Sequence, residues 1–286
     1  MANTFNPVVM YKDVIDQYFE RYDLTDVFEK PMNYINGEYK ILKVTGGALG
    51  KYTRQRAAGQ GLSYAAGSVS NSWESIKSDV ERSFQILIDK ADDLETFEAV
   101  FDEAVHNYIQ AAVVERMARR HAAIASADGI TIEDADVSTG EKVVQALRVA
   151  CNTLFNNHVP VEDRVLIIRG DVYSSLADLD AFKSKAVLTE CGNIITVTPD
   201  VLYTAIELSD TTDASYTKAD GAKDIAFILA SRKSLVSGTY WEAQFFDEGE
   251  VQDFRGSKYN YYERPLDAHV YDNKAKGIYV ATATFQ

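Results

Sequence analysis

The sequence predicts an α+β fold with a long strand arm, one long helix and a compact core of strands and helices. Two observations indicate this fold. Apolar residues alternate along short segments near both ends of the chain, and they recur at helical spacing along a long stretch between them. With 286 residues, 46% hydrophobic and 25% charged, the composition is that of a globular protein with a substantial core. No apolar run approaches the ~20 residues of a membrane span.

The first predicted elements are a helix and a two-stranded arm. Residues 7–30 carry apolar side chains at helical spacing, and Pro31 ends that segment. Glu38–Thr45 is predicted as the strand entering the arm, residues 46–72 as its glycine-rich tip, and residues 73–89 as its return strand. An isolated hairpin is only marginally stable in water, so the arm needs a surface from elsewhere, such as a neighbouring subunit.

A long amphipathic helix is predicted next, over residues 94–126. Its apolar stripe begins with Leu94, Phe97 and Phe101 at three- and four-residue spacing. A helix of this length spans about 50 Å, whereas helices in globular proteins average about 11–12 residues. Cationic residues lie toward its end, where the helix dipole favours positive charge: Arg116, Arg119, Arg120 and His121.

The remaining elements form a compact unit followed by closing strands. The start of the second helix, Ser138-Thr139-Gly140-Glu141, has the spacing of a capping box. Nearly continuous apolar runs predict strands that are buried on both faces. In order, we predict a helix over 139–156, a buried strand over 164–168, a short helix over 171–179, a strand over 194–198, a polar loop over 209–223, a buried strand over 224–230, an irregular aromatic-rich segment over 237–258 and a last strand over 278–284.

The charge and the cysteines limit the possible partners. A net charge of −14 argues against a surface that grips nucleic acid, which needs clustered Lys and Arg. It fits either simple solubility or a surface that faces nucleic acid without adhering to it. Cys151 and Cys191 are predicted to be reduced, partly buried thiols.

No motif of catalytic or ligand-binding chemistry stands out. The tip invites a phosphate-loop interpretation, but Gly46 and Gly50 are separated by only three residues, and Tyr52 replaces the required hydroxyl residue. No histidine occurs in a zinc-binding pattern, and His106 and His121 are predicted as surface or interface residues of the long helix. We therefore expect no enzyme, no cofactor and no metal site.

Four segments, taken in order, carry a resemblance to a known family. They are 49–52 (LGKY) with 81–84 (ERSF) in the arm, 92–96 (DDLET) opening the long helix, 159–175 (VPVEDRVLIIRGDVYSS) at the buried strand and 267–279 (DAHVYDNKAKGIY) near the end. In the third, Arg169-Gly170-Asp171 lacks the proline often found at that junction. With these segments the chain resembles the major capsid proteins of tailed bacteriophages with the Hong Kong 97-like capsid fold.

The resemblance implies a function and a division of the chain. It implies a structural protein, not an enzyme, that self-assembles into the icosahedral capsid shell enclosing the phage genome. The implied parts are an N-terminal arm (1–38), an extended loop with a peripheral-domain strand (39–90), the spine helix of the peripheral domain (91–136), an axial domain (137–256) and the return strands of the peripheral domain (257–286).

The resemblance also implies partners and contacts. Copies of the chain would form hexamers and pentamers. The other implied partners are a scaffolding protein, a portal protein and, in some such shells, a decoration protein. The scaffolding protein is expected to be separate because the chain begins directly at the arm. Packaged DNA would be enclosed without specific binding, and no membrane would be involved. The implied location is the virion capsid, assembled in the bacterial host cytoplasm. The implied inter-subunit contacts of the extended loop are Lys51, Tyr52, Arg54, Arg56, Tyr64, Trp73, Glu74 and Arg82.

Other interpretations stay open at this point. An encapsulin-like compartment of the same fold would enclose an enzyme cargo, and an ordinary soluble enzyme would form a small discrete oligomer. Some shells of this fold are cross-linked between a loop lysine and an asparagine, which here would join Lys51 to Asn260 or Asn273. A solvated or ion-paired Lys51 is the simpler expectation.

Overall fold

The computed structural model describes residues 27–31, 33–45, 70–78, 80–176, 179, 181–209, 216–246, 250, 256–283 and 285. These residues fall into two compact units, one made of residues 31–78 and one made of residues 27–30 together with 80–285. The predicted helix over 7–30 and most of the predicted tip lie outside the described residues. Among the helices of the described part, none is long and apolar enough to cross a membrane.

The smaller unit is a three-stranded antiparallel sheet in the order β1-β2-β3, made of Asn33–Ile35, Glu38–Thr45 and Ser70–Lys77. Asn36 and Gly37, with φ of 54° and 81°, turn the chain between β1 and β2, because a two-residue hairpin turn of this kind needs positive φ at both positions. β2 and β3 pair along their full length, from Glu38 opposite Lys77 to Thr45 opposite Ser70. The predicted strand over Glu38–Thr45 is confirmed.

The predicted single return strand over 73–89 is wrong, because it is two strands in different sheets. β3 ends at Lys77 and β4 occupies Arg82–Asp89. β3 is polar on both faces, whereas β4 alternates, with Phe84 half-buried and Ile86 buried between exposed neighbours. The two segments therefore suit different environments, and β4 joins the larger unit.

A long helix, α1, follows β4 and is confirmed. It covers Lys90–Ala125, 36 residues or about 54 Å. The second predicted helix is also confirmed as α2, Gly140–Asn156, which buries Val143, Leu147 and Cys151. Its N-cap is Thr139, whose Oγ1 accepts a hydrogen bond from the Lys142 backbone N–H at 3.5 Å. Ser138 instead donates from its backbone N–H and its hydroxyl to Asp136.

The core of the larger unit is a five-stranded sheet. Its strands, in spatial order, are β5 (Thr131–Asp134), β13 (Ile278–Ala283), β10 (Asp224–Ser231), β6 (Arg164–Arg169) and β7 (Asn193–Val197). β13 pairs with β5 and β6 pairs with β7 in parallel, and the other neighbours are antiparallel. Two helices accompany this sheet, α3 (Gly170–Ser174) and α4 (Ala181–Glu190). The strand β5 lies between α1 and α2 in the chain, and neither it nor the helix α4 was predicted. The short strands β8 (Ile206–Leu208) and β9 (Tyr216–Lys218) form a separate pair.

Apolar clusters cover both faces of this sheet, which explains its continuous apolar strands. In β6, Leu166 and Ile168 face the cluster formed with α2, α3 and α4. Val165 and Ile167 face the opposite cluster, which includes the C-terminal end of α1. The predicted double-sided burial of the strands over 164–168 and 224–230 is confirmed.

A second antiparallel sheet, in the order β11-β12-β4, completes the larger unit. β11 covers Leu235–Phe246 and β12 covers Gly256–Val270. The prediction of an irregular segment is therefore wrong over 237–246 and 256–258, whereas residues 247–249 and 251–255 lie outside the described residues. Along β11 the half-buried Trp241 and Ala243 alternate with the exposed Glu242 and Gln244.

Candidate functional site

The C-terminal half of α1 carries three buried arginines. Arg116, Arg119 and Arg120 are almost fully enclosed between the helix and the β11-β12-β4 sheet. The sequence predicted them as cations that complement the helix dipole near its end. That interpretation is wrong, because none lies in the last turn and each is held by partners on the sheet.

Arg116 forms a buried ion pair with Glu263 of β12. The Arg116 Nε–H donates to Glu263 Oε1 at 3.3 Å, and its Nη2 contacts Glu263 Oε2 and donates to the Tyr261 hydroxyl at 3.0 Å. Tyr261 in turn donates to Glu263 Oε2 at 2.8 Å. Burial acts to raise the pKa of Glu263, but the Arg116 charge and the hydrogen bonds from Arg116 and Tyr261 outweigh it and lower that pKa. Glu263 is therefore a stably charged carboxylate inside the protein.

Arg119 joins the helix to a second part of the sheet. Its Nε–H donates to Asp267 Oδ1 at 3.0 Å, and its Nη1 donates to Glu115 Oε1 at 2.5 Å. Arg82 of β4 donates to the same Glu115 oxygen at 2.8 Å. Burial raises the pKa of Asp267 despite the nearby Arg119 and Arg120 charges. The predicted loop contact Arg82 thus pairs within its own chain, and its role between subunits stays a prediction.

Arg120 reaches the third strand, since its Nε–H donates to the Ser237 hydroxyl of β11 at 3.0 Å and to the Asp267 carbonyl at 3.3 Å. The helix is therefore connected to all three strands: its arginines reach β11 and β12, and Glu115 accepts a hydrogen bond from Arg82 of β4. Removing one partner of a buried ion pair typically costs about 3–5 kcal/mol, so this network holds helix and sheet in one arrangement. The sequence signal was present, because positions 116, 119 and 120 share one helix face. Their acidic partners could not be identified before the strands around Glu263 and Asp267 were known.

His121, the residue that follows, is fully buried. Its Nδ1 lies 2.8 Å from the Val201 carbonyl oxygen, to which a neutral imidazole donates. Burial lowers the pKa of His121 to about 4. The hydrogen bond to Val201 opposes this shift, and the Arg120 charge adds to it. The prediction of a surface or interface histidine is wrong here. Nothing can be said of the His106 side chain, which lies outside the described side chains.

The hairpin β2–β3 carries two of the predicted contact residues. Trp73 is 57% exposed, and register places it on the same face of the sheet as Leu42 and the exposed Ile35. Glu74, half-buried, lies on the opposite face, where Tyr39 and Ile41 are buried. The other predicted contacts of the tip lie outside the described residues: Lys51, Tyr52, Arg54, Arg56 and Tyr64. Leu42 lies directly opposite Trp73, whereas Ile35 lies further along the same face, opposite Glu38. An exposed indole next to an aliphatic side chain is the kind of surface that a partner covers.

Further apolar side chains are exposed on the larger unit. On the outer face of α2, Phe155 is 71% exposed and Val149 is also exposed, with Val161 just beyond the helix. Tyr108 of α1 stacks on Phe84 of β4, with ring centroids 5.0 Å apart. Both rings line an open groove of about 730 Å³. The larger unit therefore offers more than one apolar surface for contact.

Within the described part of the chain, no three His, Cys, Asp or Glu side chains are grouped as metal ligands. Asn260 of β12 accepts a hydrogen bond from Gln85 at 2.9 Å, so its amide is engaged within the sheet. The arrangement around α1 is a set of linked ion pairs, in which Arg82 Nη2 and Arg119 Nη2 are buried without a hydrogen-bond partner among the described residues. Pairing of these charges within the chain supports a structural role for them.

Comparison with known proteins identifies the fold. No protein-family model matches the chain, and no curated protein sequence matches it significantly. Among solved structures, a chain of the capsid of the cyanophage P-SCSP1u has a TM-score of 0.60 at 12% identity, covering 91% of this chain and 87% of that one. The capsid of Myoviridae phage XM1 has a TM-score of 0.54 at 11% identity, with 93% and 91% covered. A virus-like particle from Pyrococcus furiosus has a TM-score of 0.55 at 12% identity, with 94% and 96% covered. The chain shares an α+β fold with these proteins.

Proposed function

We propose that this chain is the major capsid protein of a tailed bacteriophage, which self-assembles into an icosahedral shell around the phage genome. The observation that carries the proposal is the shared fold with phage capsid chains over about nine tenths of the chain. The segments that resemble the Hong Kong 97-like capsid family support it independently. The proposed location is the virion, after assembly in the host cytoplasm.

The parts of the molecule have roles under this proposal. The spine helix of the peripheral domain is α1, packed on β4, β11 and β12 through the arginine network. The axial domain is the five-stranded sheet with α2, α3 and α4. The extended loop is assigned β2, β3 and residues 46–69 between them, and β2 and β3 share a compact unit with β1.

The extended loop is proposed to lie on an adjacent subunit. The exposed Trp73 supplies apolar contact area, and the tip supplies the cations Lys51, Arg54 and Arg56 opposite a chain whose net charge is −14. Each exposed ion pair contributes only about 0–1 kcal/mol, so the stability of a shell comes from repetition over many copies. The partners proposed for this process are other copies of the chain, a scaffolding protein and a portal protein.

Purification followed by sizing chromatography and electron microscopy tests the function. Expressed with the genes that neighbour its own, the chain should elute as a very large species that forms closed shells. A small discrete oligomer under the same conditions would overturn the proposal.

Charge reversal tests the loop contact. Arg54→Glu combined with Arg56→Glu should prevent shell formation while leaving the melting temperature of the unassembled subunit unchanged. The matched control is Arg54→Lys with Arg56→Lys, which keeps both charges and should still assemble. Normal shells from the charge-reversed protein would contradict this role of the tip.

A second candidate is an encapsulin-like compartment, which the match to the virus-like particle from Pyrococcus furiosus favours. The contents of native particles distinguish the two. Nuclease-protected DNA supports the capsid, whereas a co-purifying protein cargo without DNA supports the compartment.

A further inference from the structure

The two cysteines meet inside the larger unit. Cys151 lies in the middle of α2, and Cys191 follows the last residue of α4. Their Sγ atoms are 3.4 Å apart, and their side chains are 2% and 0% exposed in the apolar cluster beneath these helices. The prediction of partly buried thiols understated their burial; both are free.

A cation lies next to this pair. The Arg164 guanidinium donates to the Glu190 carbonyl at 2.9 Å, directly before Cys191, and also to the Val159 carbonyl. A hydrogen bond from Cys191 lowers the pKa of Cys151, with a smaller contribution from the Arg164 charge and against the effect of burial. The same hydrogen bond and burial raise the pKa of Cys191. Cys151 is therefore the thiol that ionises first, and the thiolate is the reactive form.

We propose that Cys151 and Cys191 are a modification site, at which hydrogen peroxide converts the thiol pair into a disulfide that ties α2 to the end of α4. The sulfur atoms, 3.4 Å apart, must approach by about 1.4 Å to reach the bonding distance of about 2.05 Å. Residues 40 apart in sequence are then joined.

The reaction balances in two steps. The Cys151 thiolate attacks one peroxide oxygen, the O–O bond breaks, and a sulfenic acid and hydroxide form. The Cys191 sulfur then attacks the Cys151 sulfur, an S–S bond forms, and the sulfenic oxygen leaves as water with the Cys191 proton. In total, two thiols are oxidised and one peroxide is reduced to two waters.

A small oxidant has a plausible route to the pair. An open groove of about 460 Å³ runs beside α4, lined in part by Ser184, Leu188 and Ile194. Leu188 and Ile194 pack against the same apolar cluster that contains both cysteines. The groove therefore brings solvent, and with it peroxide, to side chains that pack on the cluster around the cysteine pair.

The timing of the reaction rests on the proposed function. A capsid is built in a reducing cytoplasm, where thiols persist, and meets oxidising solution after the host lyses. The cross-link would then stabilise the particle after its release. The chemistry itself does not depend on assembly, so it can be tested whether or not shells form.

The test treats the purified protein with hydrogen peroxide, unfolds it in an alkylating reagent and determines its mass. The chain has two cysteines, so alkylation should fall from two groups per chain to none, with a loss of the mass of two hydrogens. Peptide mapping should recover a linked pair containing Cys151 and Cys191 that dithiothreitol separates. On a non-reducing gel the chain should remain monomeric.

Single variants complete the test. Cys191→Ser should leave a sulfenic acid at Cys151 that a dimedone probe captures, and Cys151→Ser should react far more slowly. Cys151→Ala serves as a second variant if the serine protein fails to fold. Two alkylatable thiols after peroxide treatment, a disulfide between chains, or overoxidation of Cys151 with Cys191 still free would each overturn the proposal.

Discussion

Acidification should weaken this fold through His121. The imidazole is fully buried, and its Nδ1 serves the Val201 carbonyl. Its Nε2 is buried and has no hydrogen-bond partner among the described residues, so a proton added there would be an unpaired interior charge. The unfolded chain binds that proton near pH 6.5, whereas the folded chain binds it only near pH 4. The stability that depends on a neutral His121 is therefore fully present above about pH 6.5 and is lost as the pH falls toward 4.

The pKa difference sets the size of the effect. The pKa of His121 is lowered from 6.5 to about 4. At pH values well below 4, where this histidine is charged in the unfolded and the folded chain, the lowered pKa reduces the free energy of unfolding by roughly 3.4 kcal/mol. Between pH 7 and pH 5 the linkage relation gives a loss of about 2 kcal/mol. This is a large part of the usual stability of a domain and lies well above the error of a denaturation measurement.

Denaturant titration of the unassembled subunit at pH 7, 6 and 5, followed by tryptophan fluorescence, measures this loss. The matched variant is His121→Asn, which keeps an N–H donor near the Val201 carbonyl but does not titrate. Carboxyl groups with lowered pKa values, such as Glu263, lose stability with falling pH in both proteins and cancel in the comparison. The native protein should lose about 2 kcal/mol more than the variant between pH 7 and 5. Equal losses in the two proteins would refute the reasoning.

Three further outcomes are expected. Glu263→Ala, which leaves the Arg116 charge buried, should lower the free energy of unfolding by about 3–5 kcal/mol. Lys142→Ala, which removes the exposed ion pair with Asp136, should cost under about 1 kcal/mol, and similar values for the two variants would contradict the network. Gly192→Ala should cost roughly 3 kcal/mol or more, because the new Cβ would lie 2.4 Å from a backbone carbonyl at a φ of +79°. Gly221→Ala, at a φ of +77° with open space around it, should cost only about 1 kcal/mol by the same denaturation assay. The protein should not bind duplex DNA at physiological salt, and a retarded band in a gel shift at micromolar protein would disprove this.

The periodic spacing of apolar residues predicted those helices and strands whose buried positions carry apolar side chains. The helix α2 and the strands β6 and β10 were found because their buried positions are apolar. The helix α1 was found from the apolar spacing that begins with Leu94, although the buried positions of its C-terminal half include several charged side chains. The same rule failed where buried positions are charged. Glu263 faces inward because Arg116 neutralises it, and that partner lies 147 residues earlier in the chain. Pattern analysis of either segment alone cannot detect such a pair.

The candidate site was predictable to a smaller extent. The exposed Trp73 on β3 follows from the polar sequence around it, since a tryptophan among serines has little core to enter. The burial of His121 did not follow, because the same stretch of α1 carries several charges and resembles a solvent-facing surface. The cysteine contact was also hidden, because α4, which brings Cys191 to α2, was not predicted.

The position of β13 in the central sheet has a consequence for how the chain is made. β13 lies between β5 and β10, yet it is translated long after both. At about 5–20 residues per second, roughly 7–30 s pass between the synthesis of β5 and that of β13. Until β13 is made, β5 has no partner in this sheet, and β10 is paired there only with β6. The central sheet of the larger unit can therefore close only after residues 278–283 have been synthesised.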